Sequence, residues 1–188
     1  RGKKGHLTRS SVYLRSRSGI ESTKSLFRDI WYCYYPRLWV FVRQMPIRPV
    51  DVDDVMQGVM LKVYENLCSY NARYAFTTWI YTIARNHCLD TLRKERSRSR
   101  FEAGGNIPDI ESPYPDPEEA LLESESGKEA RLLISSLNGT DQQIAFLRFF
   151  EERSYRDISR VLGIPVGTLK YRVHSIRSML EKGRENDE

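Results

Sequence analysis

The chain has 188 residues, 40% of them hydrophobic, with a net charge of +5, which suits one medium core or two small ones and excludes a structureless chain. No window approaches the roughly 18 uninterrupted apolar residues of a membrane-spanning helix, and no apolar segment with a small-residue cleavage site follows the basic start, so a cytoplasmic protein is expected. Three cysteines, Cys33, Cys68 and Cys88, with no C-x-x-C pair, argue against a disulfide framework and against a zinc site.

Residues 1–22 mix Arg, Lys, Ser and Gly and read as a basic, disordered arm; residues 1–28 hold eight Lys and Arg against one Glu. From Ser25 to Met45, Leu26, Phe27, Ile30, Trp31, Tyr34, Leu38, Phe41 and Val42 recur at helical spacing, with Pro36 as an expected kink or boundary. "PIRPV" breaks the chain before "DVDDVMQGVMLKVYENL". That helix carries Val52, Val55, Met56, Val59, Met60, Val63, Tyr64 and Leu67 on one stripe, and its leading aspartates suit a helix N-terminus. "SYNARYA" reads as a loop.

The stretch "YAFTTWIYTIARNHCLDTLRK", Tyr74 to Lys94, is the third long helix. Phe76, Ile80, Ile83, Ala84 and Leu92 suit the core and Trp79 lies largely against it. The helix then turns basic, with six Lys and Arg against two acids over residues 85–100. Residues 101–119 contain four prolines and two glycines, and residues 101–129 hold nine acids against one base. This is an interdomain linker by composition. From Leu121 to Glu181 the pattern is helical again, with breaks at "NGTD" and "LGIPVG". No strand pattern and no repeat is visible, so an all-α chain of two small helical domains joined by a flexible acidic linker is expected.

"SYRDISRVLGIPVGTLKYRVHSIRSMLEK" has a sharper signature. Tyr155, Ile158, Val161 and Leu162 form the inner face of a short helix, Gly163 can end it in the left-handed conformation, and Pro165 suits the start of the next. In that next helix Leu169, Val173, Ile176 and Leu180 face inward. Thr168, Lys170, Tyr171, Arg172, His174, Ser175 and Arg177 face out. Two short helices, a glycine turn and a basic outer face make a helix-turn-helix whose second helix enters the DNA major groove, where Arg and Lys bond guanine edges or phosphates.

At this point both halves resemble one family. "DVDDVMQGVMLKVYENL" followed by "YNARYAFTTWIYTIARNHCLDTLRKE" resembles region two of bacterial sigma-70 family RNA polymerase sigma factors, and "DQQIAFLRFFEERSYRDISRVLGIPVGTLKYRVHSIRSML" resembles their region four. With only a short linker between them, the extracytoplasmic function (ECF) subfamily is the best match. The resemblance implies region two over residues 23–100, a linker over 101–127 and region four over 128–184. The implied partners are core RNA polymerase, through the clamp helices of β′ and the β subunit, then promoter DNA and an anti-sigma factor.

Matched position by position, Asp54, Gln57, Leu61, Lys62 and Glu65 form the implied core-polymerase surface. Periodicity independently leaves Asp54, Gln57, Leu61 and Glu65 off the apolar stripe. Gly58 departs from the family, which usually carries an acid there; a helical glycine costs about 1 kcal/mol relative to alanine and removes a potential contact. Tyr70, Asn71, Arg73 and Tyr74 occupy the loop that the family uses to capture an extruded minus-10 base, by stacking and hydrogen bonding. Arg85, Asn86, Arg93 and Lys94 suit the DNA strand backbone or upstream duplex. Thr168, Lys170, Tyr171, Arg172, Ser175 and Arg177 are the expected minus-35 residues, with Tyr171 replacing an often small one. The acidic linker matches a segment that stands in for RNA in the polymerase's basic exit channel; plain solubility explains the same charges.

Two other classes fit less well. His87 adjoins Cys88, but neighbours on a helix point about 100° apart, no third group orients a base, and His6, His87 and His174 lack ligand spacing. No catalytic residue, metal or cofactor is expected. A helix-turn-helix regulator acting without replacing a sigma subunit would bind DNA alone and has no reason to carry the region-two pattern.

Overall fold

The computed structural model describes residue 12, residues 20–101 and residues 137–185. The described residues form helices, turns and loops, with no strand among them. Most of the expected basic arm, and all but the first residue of the expected linker, lie outside the described residues. The chain divides into two compact units: residues 1–43 with 47–113, and residues 114–188 with 44–46.

The first unit packs three helices, α1 (Ile20–Arg43), α2 (Val52–Asn66) and α3 (Phe76–Phe101), each against the other two. Short 3-10 turns, Pro49–Asp51 and Leu67–Ser69, lead into and out of α2. Pro36, expected as a kink or a boundary, does not bound α1 but lies inside it. The proline forfeits one bond, to the Tyr32 carbonyl, but Tyr32 is on the exposed face, where water can serve that carbonyl, and Leu38, Trp39, Val40, Phe41 and Val42 are all buried beyond it. Packing on the far side outweighs the lost bond.

The α2 stripe buries Val52, Val55, Met56, Val59, Met60 and Val63 as the periodicity requires. Tyr64, expected on that stripe, lies at its edge, partly exposed, with its ring against Phe27 of α1 at 5.1 Å. From α3 come Phe76, Ile80, Tyr81, Ala84 and Cys88, all buried; Ile83 and Leu92 sit on the flanks, partly exposed. Burial pushes the Cys88 thiol up to about 12.

Where α2 crosses α3, Gly58 faces His87. A Cβ at position 58 would stand 2.3 Å from Nε2 and 2.8 Å from Cε1 of the imidazole. The glycine is thus a notch that admits the ring. His87 Nδ1 is buried with no hydrogen-bond partner among the described residues. Burial, and next the Lys62 charge, lower the basicity of His87 below its ordinary 6.5; Asp90 opposes them and Lys94 adds to them.

The second unit contains α4 (Gly139–Ala145), a π-helical turn (Phe146–Phe150), α5 (Tyr155–Leu162) and α6 (Val166–Glu185). The expected break at "NGTD" falls one residue early. Asn138 caps α4 by accepting from the Asp141 amide at 3.0 Å, so Gly139, Thr140 and Asp141 already form the first turn. The π-helical turn was not visible in the pattern; it is closed by the Glu151 amide on the Phe146 carbonyl at 3.0 Å and followed by the Arg153 amide on that of Leu147 at 2.9 Å. Ser154 then caps α5, its hydroxyl accepting from the Asp157 amide at 3.2 Å and donating to the Asp157 carboxylate at 2.6 Å. Gly163 ends α5 at φ 66°, and the Pro165 carbonyl accepts from Leu169 at 3.0 Å to start α6. Ile144, Ala145, Phe146, Leu147, Ile158, Val161, Leu162, Leu169, Val173 and Ile176 make this unit's core.

Two predictions follow from the Gly58–His87 packing. Gly58→Ala gains about 1 kcal/mol of helix propensity but overpacks the imidazole, at about 1–3 kcal/mol; the net effect in urea unfolding is a loss of about 1 kcal/mol. In a His87→Ala background the same change becomes stabilising, and a double-mutant cycle reads the reversal. The second concerns pH. A histidine with lowered native basicity contributes stability that is complete above its ordinary 6.5 and is lost as pH falls below it, because the unfolded chain binds the proton first. The pH dependence of unfolding between pH 7 and pH 5 is therefore shallower in His87→Ala than in the parent, and an unchanged slope refutes it.

Candidate nucleic-acid and partner interfaces

α2 buries one side against α1 and α3, and its opposite side forms a crest. Asp54, Gln57, Leu61 and Glu65 all lie there, exposed. Leu61 is 58% exposed, a large apolar side chain among polar neighbours. Tyr64 flanks the crest towards α1 through Phe27, whereas Gly58 and Lys62 flank it towards α3. The structure therefore brings together four of the five expected core-polymerase residues and sets Lys62 on the shoulder.

Lys62 Nζ is 3.7 Å from the Asp90 carboxylate of α3, which also pairs with Arg93 at 3.3 Å. Lys62, His87, Asp90, Thr91, Arg93 and Lys94 line a cleft of about 300 Å³ between the two helices. Lys62 is thus a neighbour of Arg93 and Lys94, residues expected to meet DNA rather than protein. Position 58, where the resemblance leads one to expect an acid, faces His87, one of the residues that line the cleft. A longer side chain there would occupy the space of the imidazole, so glycine at position 58 and His87 in this position fit together. Sequence reasoning gave His87 and Asp90 no role, and no local spacing links them to α2.

The loop between α2 and α3 divides its four expected base-capturing residues. Tyr70 is corrected: it is only 1% exposed, and its ring packs on Phe76 at 5.2 Å and Trp79 at 5.4 Å. An enclosed ring offers no face on which a base can stack. Instead its hydroxyl donates to the Tyr74 carbonyl at 2.8 Å, fixing the far end of the loop from beneath. Above it the Asn71 side chain accepts from the Arg73 amide at 2.9 Å, and the Tyr74 amide donates to the Asn71 carbonyl at 3.3 Å. Asn71, Arg73 and Tyr74 are left exposed on a tight turn, Tyr74 at 40%. Along α3, Asn86, Arg93 and Lys94 are exposed, while Arg85 is half-buried and its basicity is lowered by that burial.

On α6 the expected outward residues also divide. Thr168, Lys170, Ser175 and Arg177 are exposed; Tyr171, at 75%, is the most exposed of the described aromatics of this unit. Arg172 has a different environment. Its guanidinium donates to the Asp141 carboxylate of α4 at 3.0 Å, and the other oxygen of Asp141 accepts from the Asn138 side chain at 2.6 Å. Asp141, 31 residues away, carried no signal in the sequence that could pair it with Arg172.

Removing the Tyr70 hydroxyl tests the loop anchor. Tyr70→Phe keeps the ring packing and frees the Tyr74 carbonyl, with an expected loss of about 1 kcal/mol and faster amide exchange at Arg73 and Tyr74. Unchanged exchange at those two amides would show that the turn holds its shape alone.

Residues 31–98 match the family model of Sigma-70 region 2, and residues 128–180 match that of Sigma-70, region 4. The ECF RNA polymerase sigma factor SigW of Bacillus subtilis (strain 168) is 27% identical over 163 residues, 83% of this chain and 87% of that protein. The RNA polymerase sigma-H factor of Pseudomonas aeruginosa is 32% identical over 143 residues, 70% of this chain and 72% of that one. Among solved structures, the sigma factor RpoE of Bartonella quintana, crystallised with the anti-sigma factor NepR, has a TM-score of 0.62 at 20% identity, covering 86% of this chain and 98% of that one. The likeness to that structure is one of fold. With two family regions in order and relatives across most of the chain, the protein belongs to the sigma-70 family of RNA polymerase sigma factors, in its ECF branch.

Proposed function

We propose a division of labour in which residues 23–100 dock on core RNA polymerase and engage the minus-10 element, residues 101–127 link, and residues 128–184 read the minus-35 element. As an ECF sigma factor the protein binds core polymerase and directs promoter-specific initiation. The observation that carries the docking assignment is Leu61, an exposed apolar side chain at the centre of the polar crest of α2. Exposed leucine rimmed by Asp54, Gln57 and Glu65 is an interface pattern: an apolar contact surrounded by groups that orient it. The two acids of that rim, Asp54 and Glu65, favour a basic partner surface, the clamp helices of β′ in this reading, with Lys62 at its margin.

The loop supplies the next step. Asn71, Arg73 and Tyr74 stand exposed over a packed aromatic floor of Tyr70, Phe76 and Trp79, so an unpaired base meets a turn that is already ordered. Binding to a preordered turn costs less entropy than binding to a mobile one. Arg85, Asn86, Arg93 and Lys94 follow the strand backbone along α3. In the second unit, α6 enters the major groove, presenting Thr168, Lys170, Tyr171, Ser175 and Arg177, and the β subunit is the partner of this unit. The chain performs no catalysis of its own. It acts in the cytoplasm, where the polymerase is; no described helix is long and apolar enough to cross a membrane. An anti-sigma factor is the regulator that fits, by analogy with the complexes of similar fold.

Run-off transcription with purified core polymerase on a promoter library tests the reading. Leu61→Asp is expected to lower core affinity at least about tenfold, or ~1.4 kcal/mol, with thermal stability unchanged. Tyr74→Ala with Asn71→Ala is expected to slow open-complex formation while leaving core affinity intact. If the parent protein initiates at no sequence in the library, the reading fails.

A further inference from the structure

Arg172 sits on the DNA-reading helix, yet its guanidinium is already bound. At about 100° per residue, Arg172 lies beside the buried stripe of Leu169, Val173 and Ile176, whereas Tyr171 lies nearly opposite that stripe, in agreement with their exposures. The Asp141 carboxylate takes Arg172 on one oxygen at 3.0 Å and the Asn138 side chain on the other at 2.6 Å. Asn138 in turn accepts from the Asp141 amide. Cap, carboxylate and guanidinium therefore form one chain of bonds from the start of α4 to the flank of α6.

From this geometry we infer that Asp141 is a positioning residue for minus-35 recognition, holding Arg172 as a strut that sets the rotation of α6, so that Lys170 and Tyr171 face the groove and Arg172 reads no base. The assignment rests on α6 being the recognition helix. Two physical arguments support it. A guanidinium that left Asp141 for DNA would leave a carboxylate that is 20% exposed with the Asn138 side chain as its remaining side-chain donor among the described residues, and a partly buried charge that loses its counter-charge opposes the move. A phosphate close enough to bond Arg172 in its present position would also lie near the negative charge of Asp141. The pair connects separate helices, and a small rotation of α6 about its axis moves its outermost side chains the most.

Salt dependence and charge reversal separate a strut from a DNA contact. The probe is the most active duplex recovered from the promoter library, bound by holoenzyme reconstituted from core polymerase and the full chain. Each variant is measured at a temperature where circular dichroism shows it folded. Asp141→Asn and Arg172→Ala are each expected to weaken binding about tenfold, with the salt slope of the parent. Asp141→Glu is the milder change and loses less. The reversed pair, Asp141→Arg with Arg172→Asp, recovers most of the affinity. Lys170→Ala, by contrast, lowers the slope by about 0.9 if it neutralises one phosphate, or relaxes preference at one base pair if it reads an edge. Tighter binding by Asp141→Asn, a reduced slope in Arg172→Ala, or no rescue by the reversed pair overturns the inference. Indifference of binding to Lys170→Ala and Tyr171→Ala alike would instead sink the recognition-helix reading itself.

Discussion

Gly58 has no side chain, and the imidazole of His87 fills the space that one would take. That contact sets how near α2 lies to α3, and several other features depend on the distance. It brings Lys62 within reach of Asp90 and so joins the shoulder of the docking crest to the basic end of α3. The same imidazole buries its Nδ1, which finds no partner among the described residues. A helix-interior glycine and a buried unpartnered nitrogen are each unfavourable. Both are tolerated because the apolar stripe of α2, from Val52 to Val63, is buried as a whole. The crest with Leu61 is simply the side of α2 that this packing leaves outside.

The two candidate DNA surfaces are built on the same plan. In each, an anchor set back from the surface, buried for Tyr70 and partly buried for Asp141, stands beside a short exposed set. Tyr70 stands under the turn that carries Asn71, Arg73 and Tyr74, and its hydroxyl bonds the last of them from inside. Asp141 stands behind α6 and holds Arg172, leaving Lys170 and Tyr171 to the solvent. Residues that share a surface in sequence order thus separate into those that hold and those that reach. A positive charge or an aromatic ring is compatible with either part.

The periodic signals carried through to the structure wherever a single helix face decided the matter. The central residues of the α2, α5 and α6 stripes and the glycine turn at Gly163 follow from local chemistry, and the all-α architecture with them, whereas Tyr64, Tyr155 and Leu180, expected on the same stripes, are partly exposed. What pattern could not show were pairings between distant segments. Tyr70 is polar-tipped and sits between turn residues, which reads as exposed; only Phe76 and Trp79, brought back over it by α3, enclose it. Arg172 reads as a DNA contact, and its bond to Asp141 of α4 has no local signal in the sequence. Pro36 reads as a break because its lost bond is local and visible, while the packing of Leu38 to Val42 that offsets it is not. The π-helical turn at Phe146–Phe150 keeps the buried residues Phe146 and Leu147 adjacent to the α4 core residues, and a widened turn leaves no trace in a pattern assessed at 3.6 residues.

Burial of Cys88 gives the first unit an internal clock. All three cysteines, Cys33, Cys68 and Cys88, belong to that unit, and they differ in access: Cys68 is exposed, Cys33 partly so, and Cys88 enclosed with its thiol pushed up to about 12. A thiol in that state holds almost no thiolate near neutral pH and so meets an alkylating reagent only when the helices part. The slowest step of thiol modification then measures the opening of the three-helix core alone, leaving the second unit silent. Opening of the first unit can in this way be timed in the intact chain, where a conventional melting curve would blend both units.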